Sequence, residues 1–314
     1  MRGFILSAGF GTRLRPLTNH IPKALVPVCG KVLLEHALQK LTNAGIKSIA
    51  TNAHYLTEQI ESFGEHSPYS FKIFRETDKI LGTGGGLYFA RDFLAGESSF
   101  IVMNVDIISN FDLKNVIETF EKSDSVCMLV AFKPATGNGT ILYEKDSLKY
   151  IGVSKDNTKN AALMGADFIG MALYKKEFLD FLTPSDFSIV PVWERAVKCG
   201  AKVTVCLQES GYWRDVGTLK SLAQIHFDCI DGIINNADPC KFTIDKKRKC
   251  CVVKNADRNL IDACGNYSWV ELQGLPSGCQ ISESVVFEGS SLPKNSHVTR
   301  SLVTQWGIIS YDNN

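Results

Sequence analysis

Two glycines, three cations and two separated carboxylates are the residues of this chain whose types and spacing could do chemistry. The segment L-S-A-G-F-G-T-R-L-R-P-L-T-N-H-I-P-K runs from Leu6 to Lys23 directly after an apolar stretch. Glycines at 9 and 11 let main-chain N–H groups approach a phosphate chain, and Arg13, Arg15 and Lys23 bring positive charge to the same loop. A structural turn would account for the glycines, but such a turn gains nothing from three converging cations, so the combination suits a triphosphate. Asp106 follows the apolar run F-I-V-M-N-V, and Asp215 follows Y-W-R ahead of a helical stretch. Both lie where an α/β sheet collects ligand groups at the carboxyl edge of its strands. Each alone also reads as a turn or helix-capping Asp. As a pair they suit Mg²⁺, which takes one or two carboxylates and completes its shell with water and substrate phosphates. Between them, G-T-G-G-G-L at 82–87 is either a plain glycine-rich helix entry or a place where a ligand lies against the main chain.

The elements that must position these residues alternate. Apolar runs at 2–8, 47–52, 70–75, 99–104 and 125–132 read as strands, and helical spacing at 31–44, 56–63, 84–94 and 112–122 reads as crossovers, with Asp112 as an N-cap. This order predicts a Rossmann-like, doubly wound mixed α/β sheet. After Pro134 turn residues separate β-rich pieces, as in a hairpin inserted beside the sheet. Residues 166–174 and 201–207 read as further strands, and 188–199 and 217–229 as helices, closing a first domain over 1–228. Residues 229–314 form a small C-terminal β-rich part. Its aliphatic residues Ile281, Val286, Leu292, Val298 and Leu302 recur about every six positions, as in a short left-handed β-helix.

The 314 residues carry 34 Lys+Arg against 33 Asp+Glu, a net charge of +1, so nothing in the overall balance recruits nucleic acid or an anionic membrane. The N-terminal run passes straight into glycines and arginines without a signal-type apolar region, and no long apolar span follows, so a cytoplasmic location is expected. The ten cysteines form no C-x-x-C pair and read as free thiols. Cys250 and Cys251 follow the basic run Lys246–Lys249, which would favour a thiolate; otherwise they are an incidental pair. Trp213 reads either as a platform near sugar or base or as core. The six histidines show no ligand spacing, and His20 stands out only because it falls inside the phosphate loop.

The unbroken segment from Leu6 to Lys23 resembles the signature of the sugar-nucleotide pyrophosphorylases, the NTP-transferase family. The resemblance implies transfer of a nucleoside monophosphate from an NTP to a sugar 1-phosphate with release of pyrophosphate. It implies that Arg13 and Lys23 are catalytic, and that Ala8, Gly9, Gly11, Thr12, Arg13, Gly82, Thr83, Gly84 and Asn104 hold the nucleotide. Gly139 and Gly170 would line the sugar-phosphate pocket, and Asp106 and Asp215 would hold Mg²⁺. Val105 stands where the family usually has glycine, which is expected to crowd the backbone near the nucleotide. The family's E-K pair is missing here, with Lys155 the nearest candidate for its lysine. T-G-G-G, N-x-D, F-x-G, P-V-W-E-R-A at 191–196 and W-x-D-V-G-T-L at 213–219 look like the branch of N-acetylmuramate-1-phosphate uridylyltransferases and mannose- or heptose-1-phosphate guanylyltransferases. That points to UTP or GTP as donor. The resemblance covers 2–228; in some members a C-terminal β-helix serves oligomer contacts, so self-association through 229–314 is expected. Two other readings stay open: a nucleotide-sugar glycosyltransferase, and a nucleotide-sugar-binding regulatory protein with little turnover.

Overall fold

Strands rich in β-branched and large apolar residues assemble where helices can cover them on both sides. The computed structural model describes residues 1–134, 139–153 and 162–312. The chain forms two units, each built from separate stretches: Met1–Gly9 with Leu34–Trp213, and Phe10–Leu33 with Arg214–Asn314.

In the first unit Arg2–Leu6 is central, parallel to Ser48–Ala53 on one side and to Ser99–Asn104 on the other. Lys72–Arg75 extends this parallel group beyond Ser48–Ala53. The 13-residue strand Leu163–Lys175 makes the sheet mixed, because it runs antiparallel to both Ser99–Asn104 and Cys127–Phe132. Val203–Gln208 completes that side, parallel to Cys127–Phe132. Ile141–Glu144 and Tyr150–Val153 form the expected hairpin, which pairs with the first part of Leu163–Lys175.

The parallel strands read as continuous apolar runs because both faces are covered. Phe4, Ala50, Val102 and Leu129 pack with Leu87, Leu94, Val192 and Trp193 in one cluster, while the intervening Ile5, Ile49 and Ile101 are buried as well. Trp193 can be core because its indole N–H donates to the Tyr174 hydroxyl at 3.1 Å. Asp112 caps Leu113–Lys122 as expected, accepting from the Lys114 and Asn115 amides. The helical spacing over 84–94 resolves into two helices, Gly82–Phe89 and Arg91–Leu94, meeting at Ala90, whose φ of −89° and ψ of 5° leave the helical region. No helix among the described residues is long and apolar enough to cross a membrane.

In the second unit Cys250–Val253, Ser268–Val270, Ser284–Val286 and Ser301–Thr304 stack as neighbouring parallel strands. Phe242–Asp245 and Gly307–Ser310 close the two ends antiparallel. Lys249, Tyr267, Glu283 and Arg300, each in the left-handed region just before a strand, turn the corners about every 17 residues. That is a parallel β-coil. The corners are stacked by ion pairs and hydrogen bonds, Arg300 Nε to Glu283 at 2.8 Å and the Tyr267 hydroxyl to Asp231 at 3.0 Å.

The core of the coil holds Val252, Val270, Ile281, Val286, Leu292, Val298 and Val303. Leu302, expected in that row, is buried on the other side, where Leu219–Ile230 packs on the strand; Val303 takes the inward place. One residue of register exchanges the faces of a strand. All ten cysteines are free. Burial pushes the Cys250 and Cys251 thiols up, which opposes the thiolate that the basic run would favour.

Candidate active site

The exit of the first strand is fixed by a buried polar network. The Ser7 amide donates to Asn52 Oδ1 at 2.8 Å, and its hydroxyl meets Thr51 Oγ1 at 2.7 Å. Ala8 is buried, whereas Gly9 is exposed and a Cβ there would meet nothing within 4 Å. Asn52 in turn donates to Glu76 Oε1 at 2.7 Å, and the Leu81 amide donates to Glu76 Oε2 at 2.7 Å, which ties the segment before Gly82 to the sheet. Burial pushes the Glu76 carboxyl up, against the lowering effect of these two donors. Neither Asn52 nor Glu76 was marked by any motif; the only signal was two polar residues at the ends of apolar strands.

In the second unit the loop is three short 3₁₀ turns, Thr12–Leu14, Leu17–Asn19 and Lys23–Leu25, which bury Leu14, Leu17 and Ala24. The cations Arg13 and Arg15 are left exposed, as is Thr12. Gly11 has φ 62°, and its carbonyl accepts from the Thr18 hydroxyl at 2.8 Å. A Cβ at Gly11 would lie 3.0 Å from both the Lys23 Cβ and the Thr18 Cγ2, so the glycine packs against the base of Lys23. Both its backbone angle and its neighbours require glycine.

Arg13 reaches Asp215 at 3.6 Å, with side chains 63% and 43% exposed. At such exposure an ion pair is worth about 0–1 kcal/mol, so its consequence is orientation rather than stability. Gly217 makes the approach possible: a Cβ there would be 2.6 Å from Arg13 Nη2 and from Asp215 Oδ1. The sequence showed Gly217 only as part of W-x-D-V-G-T-L. Arg214 anchors the same short segment, donating twice to the buried Asp228 at 3.0 and 2.8 Å. Thr218 and Ser221 form a capping box that opens the helix Leu219–Ile230.

In the first unit Asp106 is 8% exposed and follows Ser99–Asn104. The Val105 amide donates to the Leu6 carbonyl at 3.1 Å and the Val105 side chain is buried. Asn104 and Gly170 meet directly, since a Cβ at Gly170 would lie 2.6 Å from the Asn104 amide nitrogen. Gly170, at φ 71°, sits where the register between Leu163–Lys175 and Cys127–Phe132 shifts. Gly139, at φ 69°, presses on the Ala166 backbone of the same long strand. Lys155 lies outside the described residues. Trp213 packs at 6.2 Å from the Phe132 ring, which itself contacts Phe111.

Gly82–Gly84 lie against residues 186–189. The Gly84 amide donates to the Phe187 carbonyl at 3.0 Å, and the Ile189 amide donates to the Thr83 hydroxyl at 2.9 Å. A Cβ on Gly82, whose φ is 73°, would collide with the Phe187 carbonyl. Gly82→Ala is therefore expected to lower the unfolding free energy by about 1–3 kcal/mol in urea titration, from strain and displaced backbone together.

The 186–189 segment is itself braced by Arg195, which donates to both Asp186 oxygens at 2.9 and 2.7 Å. The guanidinium brings the Asp186 carboxyl down from 3.8 to about 2. Stability from this pair is fully present above the ordinary carboxylate value and is lost as pH falls through about 2. Discounted for the partly exposed guanidinium, its contribution is about 1–2 kcal/mol. Arg195→Gln should flatten the fall in urea-unfolding free energy between pH 5 and pH 2 by about that amount.

Among the described residues no three His, Cys, Asp or Glu side chains gather as a closed metal cage. Asp106 and Asp215 are hard oxygen donors of the kind Mg²⁺ takes in ones and twos, with the remaining positions left to water and phosphate oxygens.

Residues 2–231 match the family described as nucleotidyl transferase. The chain is 29% identical over 234 residues to the catalytic subunit beta of mannose-1-phosphate guanylyltransferase from Dictyostelium discoideum, a match covering 70% of this chain and 62% of that protein. It is 31% identical over 228 residues to N-acetylmuramate alpha-1-phosphate uridylyltransferase from Caulobacter vibrioides, covering 68% of this chain and 90% of the relative. A Bacillus anthracis structure named as a glucose-1-phosphate thymidylyltransferase superposes with a TM-score of 0.61 at 24% identity, over 72% of this chain and 93% of the other, and shows the same fold.

Proposed function

The chain belongs to the nucleotidyl transferase family, and on that premise we propose that it joins a nucleoside monophosphate from an NTP to a sugar 1-phosphate, releasing pyrophosphate. The donor is UTP or GTP and the acceptor an N-acetylmuramate-, mannose- or heptose-type 1-phosphate; the relatives' own names carry the guanylyl and uridylyl donors and the mannose and N-acetylmuramate acceptors. The observation that carries the reading is the loop in which Gly11 packs on Lys23 while Gly217 lets Arg13 reach Asp215. A loop that buries Leu14 and Leu17 and leaves Arg13 and Arg15 exposed is built to meet an anion.

In this reading a phosphate oxygen of the sugar 1-phosphate attacks the α-phosphorus, and the bond from that phosphorus to the bridging oxygen of the leaving pyrophosphate breaks. Arg13 and Lys23 neutralise the charge that develops on the phosphates, and no side-chain nucleophile is needed. Asp106 and Asp215 would hold Mg²⁺, which supplies charge neutralisation at the phosphate oxygens when bound. By the family's pattern Ala8, Gly9, Gly11 and Thr12 would serve the phosphates, Gly82, Thr83, Gly84 and Asn104 the nucleoside, and Gly139 and Gly170 the sugar phosphate. Residues 1–228 would form the catalytic part, working in the cytoplasm, and 229–314 an appendage suited to self-association.

Pyrophosphate release measured over a grid of NTPs and sugar 1-phosphates tests this. A UTP or GTP pair with one of the three sugar types should dominate. Tight NTP binding without pyrophosphate release from any pair would instead mark a binding protein. Gly217→Ala should lower kcat/KM for the NTP about tenfold or more by displacing Arg13. Steady-state kinetics with the NTP varied would show it.

A further inference from the structure

Resting on the nucleotidyl-transfer reading, we propose that Trp306 is a positioning residue for the phosphate loop, and that the C-terminal β-coil thereby forms part of the nucleotide-binding apparatus. The family match ends at residue 231, so nothing in it accounts for Trp306, Trp269 or Phe242. Yet the loop residues Phe10–Leu33 fold into one unit with Arg214–Asn314.

The contact is specific. The Trp306 indole and the His20 imidazole stack face to face, with centroids 4.7 Å apart and planes 7° from parallel. His20 closes the Leu17–Asn19 turn, donating its amide to the Leu17 carbonyl at 3.2 Å, and so stands between Arg13 and Lys23 in the loop. Trp306 is held from its own side. It lies in the tight turn between Ser301–Thr304 and Gly307–Ser310, where its amide donates to the Thr304 hydroxyl and that hydroxyl donates to the Gly307 carbonyl, both at 3.1 Å. Thr304 is buried, which makes the turn a firm base for the indole.

A second anchor lies beyond Lys23. The Cys29 amide donates to His226 Nε2 at 3.0 Å, and His226 Nδ1 faces the Leu222 carbonyl at 2.8 Å, so the imidazole carries its proton on Nδ1. The His226 ring is wedged against Trp269 and Phe287. Gly30, at φ 82°, has the Phe242 ring where a Cβ would be. Residues 21–28, with Lys23 among them, therefore run between two clamps: the Trp306 stack on one side, and on the other His226 of the helix Leu219–Ile230, backed by Trp269 and Phe287 of the coil. Exposed loops carrying catalytic cations lose entropy when they close on a ligand, and pinning the loop beforehand removes part of that cost. At the Trp306 clamp the indole is 39% exposed, so its stack on His20 adds little to the core of the coil and much to the placement of the loop.

The test compares Trp306→Ala, Trp306→Phe and His20→Ala with the unaltered protein, measuring NTP affinity by calorimetry and KM for both substrates. Trp306→Ala should weaken NTP binding and raise KM for the NTP about three- to tenfold, while KM for the sugar 1-phosphate stays within about twofold. Trp306→Phe, which keeps a stacking ring, should restore most of the loss. The His20→Ala/Trp306→Ala double variant should be no worse than the worse single one, because both remove the same contact. Ile308→Ala, at an exposed position on the same hairpin, should be silent. Unchanged NTP binding in Trp306→Ala, equal shifts for both substrates, or additive losses in the double variant would overturn the proposal. If the unaltered protein releases no pyrophosphate with any pair while Trp306→Ala still weakens NTP binding, the nucleotidyl-transfer reading fails and the positioning role stands.

Discussion

Replacing Arg13 by alanine is expected to lower kcat about 10²- to 10³-fold, the usual loss when one preorganised donor to developing charge is removed. The structure makes this a clean experiment. Arg13 is exposed, and its pairing with Asp215 at 3.6 Å contributes little to stability. The unfolding free energy should therefore move by no more than about 0.5 kcal/mol, and a loss of turnover cannot be put down to a damaged fold. Arg13→Lys should recover only part of the rate, because an ammonium lacks the guanidinium's fork of donors. Single-turnover pyrophosphate release at saturating NTP separates the loss in chemistry from any loss in binding.

Asp106→Asn carries the second large effect. The side chain is nearly buried at the end of Ser99–Asn104, so an isosteric amide preserves packing while removing the charge. On the proposed Mg²⁺ role, turnover should fall about 10²-fold or more at moderate Mg²⁺, and the Mg²⁺ concentration for half-maximal rate should rise at least tenfold, because the cation would lose a carboxylate donor. Titrating activity with Mg²⁺ in both proteins reads the difference. A variant with reduced rate but an unchanged Mg²⁺ midpoint would remove Asp106 from the metal site.

Much of the sheet was legible because strands such as Arg2–Leu6, Ser99–Asn104 and Cys127–Phe132 are mainly apolar runs of five or six residues separated by helical spacing. Ser99–Asn104 coincides with the run expected at 99–104. The direction of Leu163–Lys175 was not legible, since an antiparallel strand buried on both faces has the same apolar texture as a parallel one. The coil was only partly legible for a related reason. Its turn between Val253 and Ser268 contains the helix Arg258–Ala263, which breaks the six-residue spacing on which the reading relied. Leu302 and Val303 are both aliphatic, so the pattern could not tell which one faces inward.

For the candidate site, the loop from Leu6 to Lys23 stood out because its glycines and cations fall close together in sequence. Its supports were not. Gly217 matters through a Cβ it lacks, Glu76 and Asn52 through hydrogen bonds across strands, and Trp306 through a stack on a residue nearly the whole chain away. Such contacts follow from folding and leave no local pattern. The glycines at 82 and 84 have a second meaning that composition could not separate, the close approach of residues 186–189.

The most direct test of the central claim is to follow label from an NTP carrying it either at the α- or at the γ-phosphorus, with Mg²⁺ and the sugar 1-phosphates present. Nucleotidyl transfer predicts that the α label appears in a nucleotide sugar and the γ label in pyrophosphate, in equal amounts. Release of γ label as inorganic phosphate, or transfer of γ label to the sugar, would contradict it.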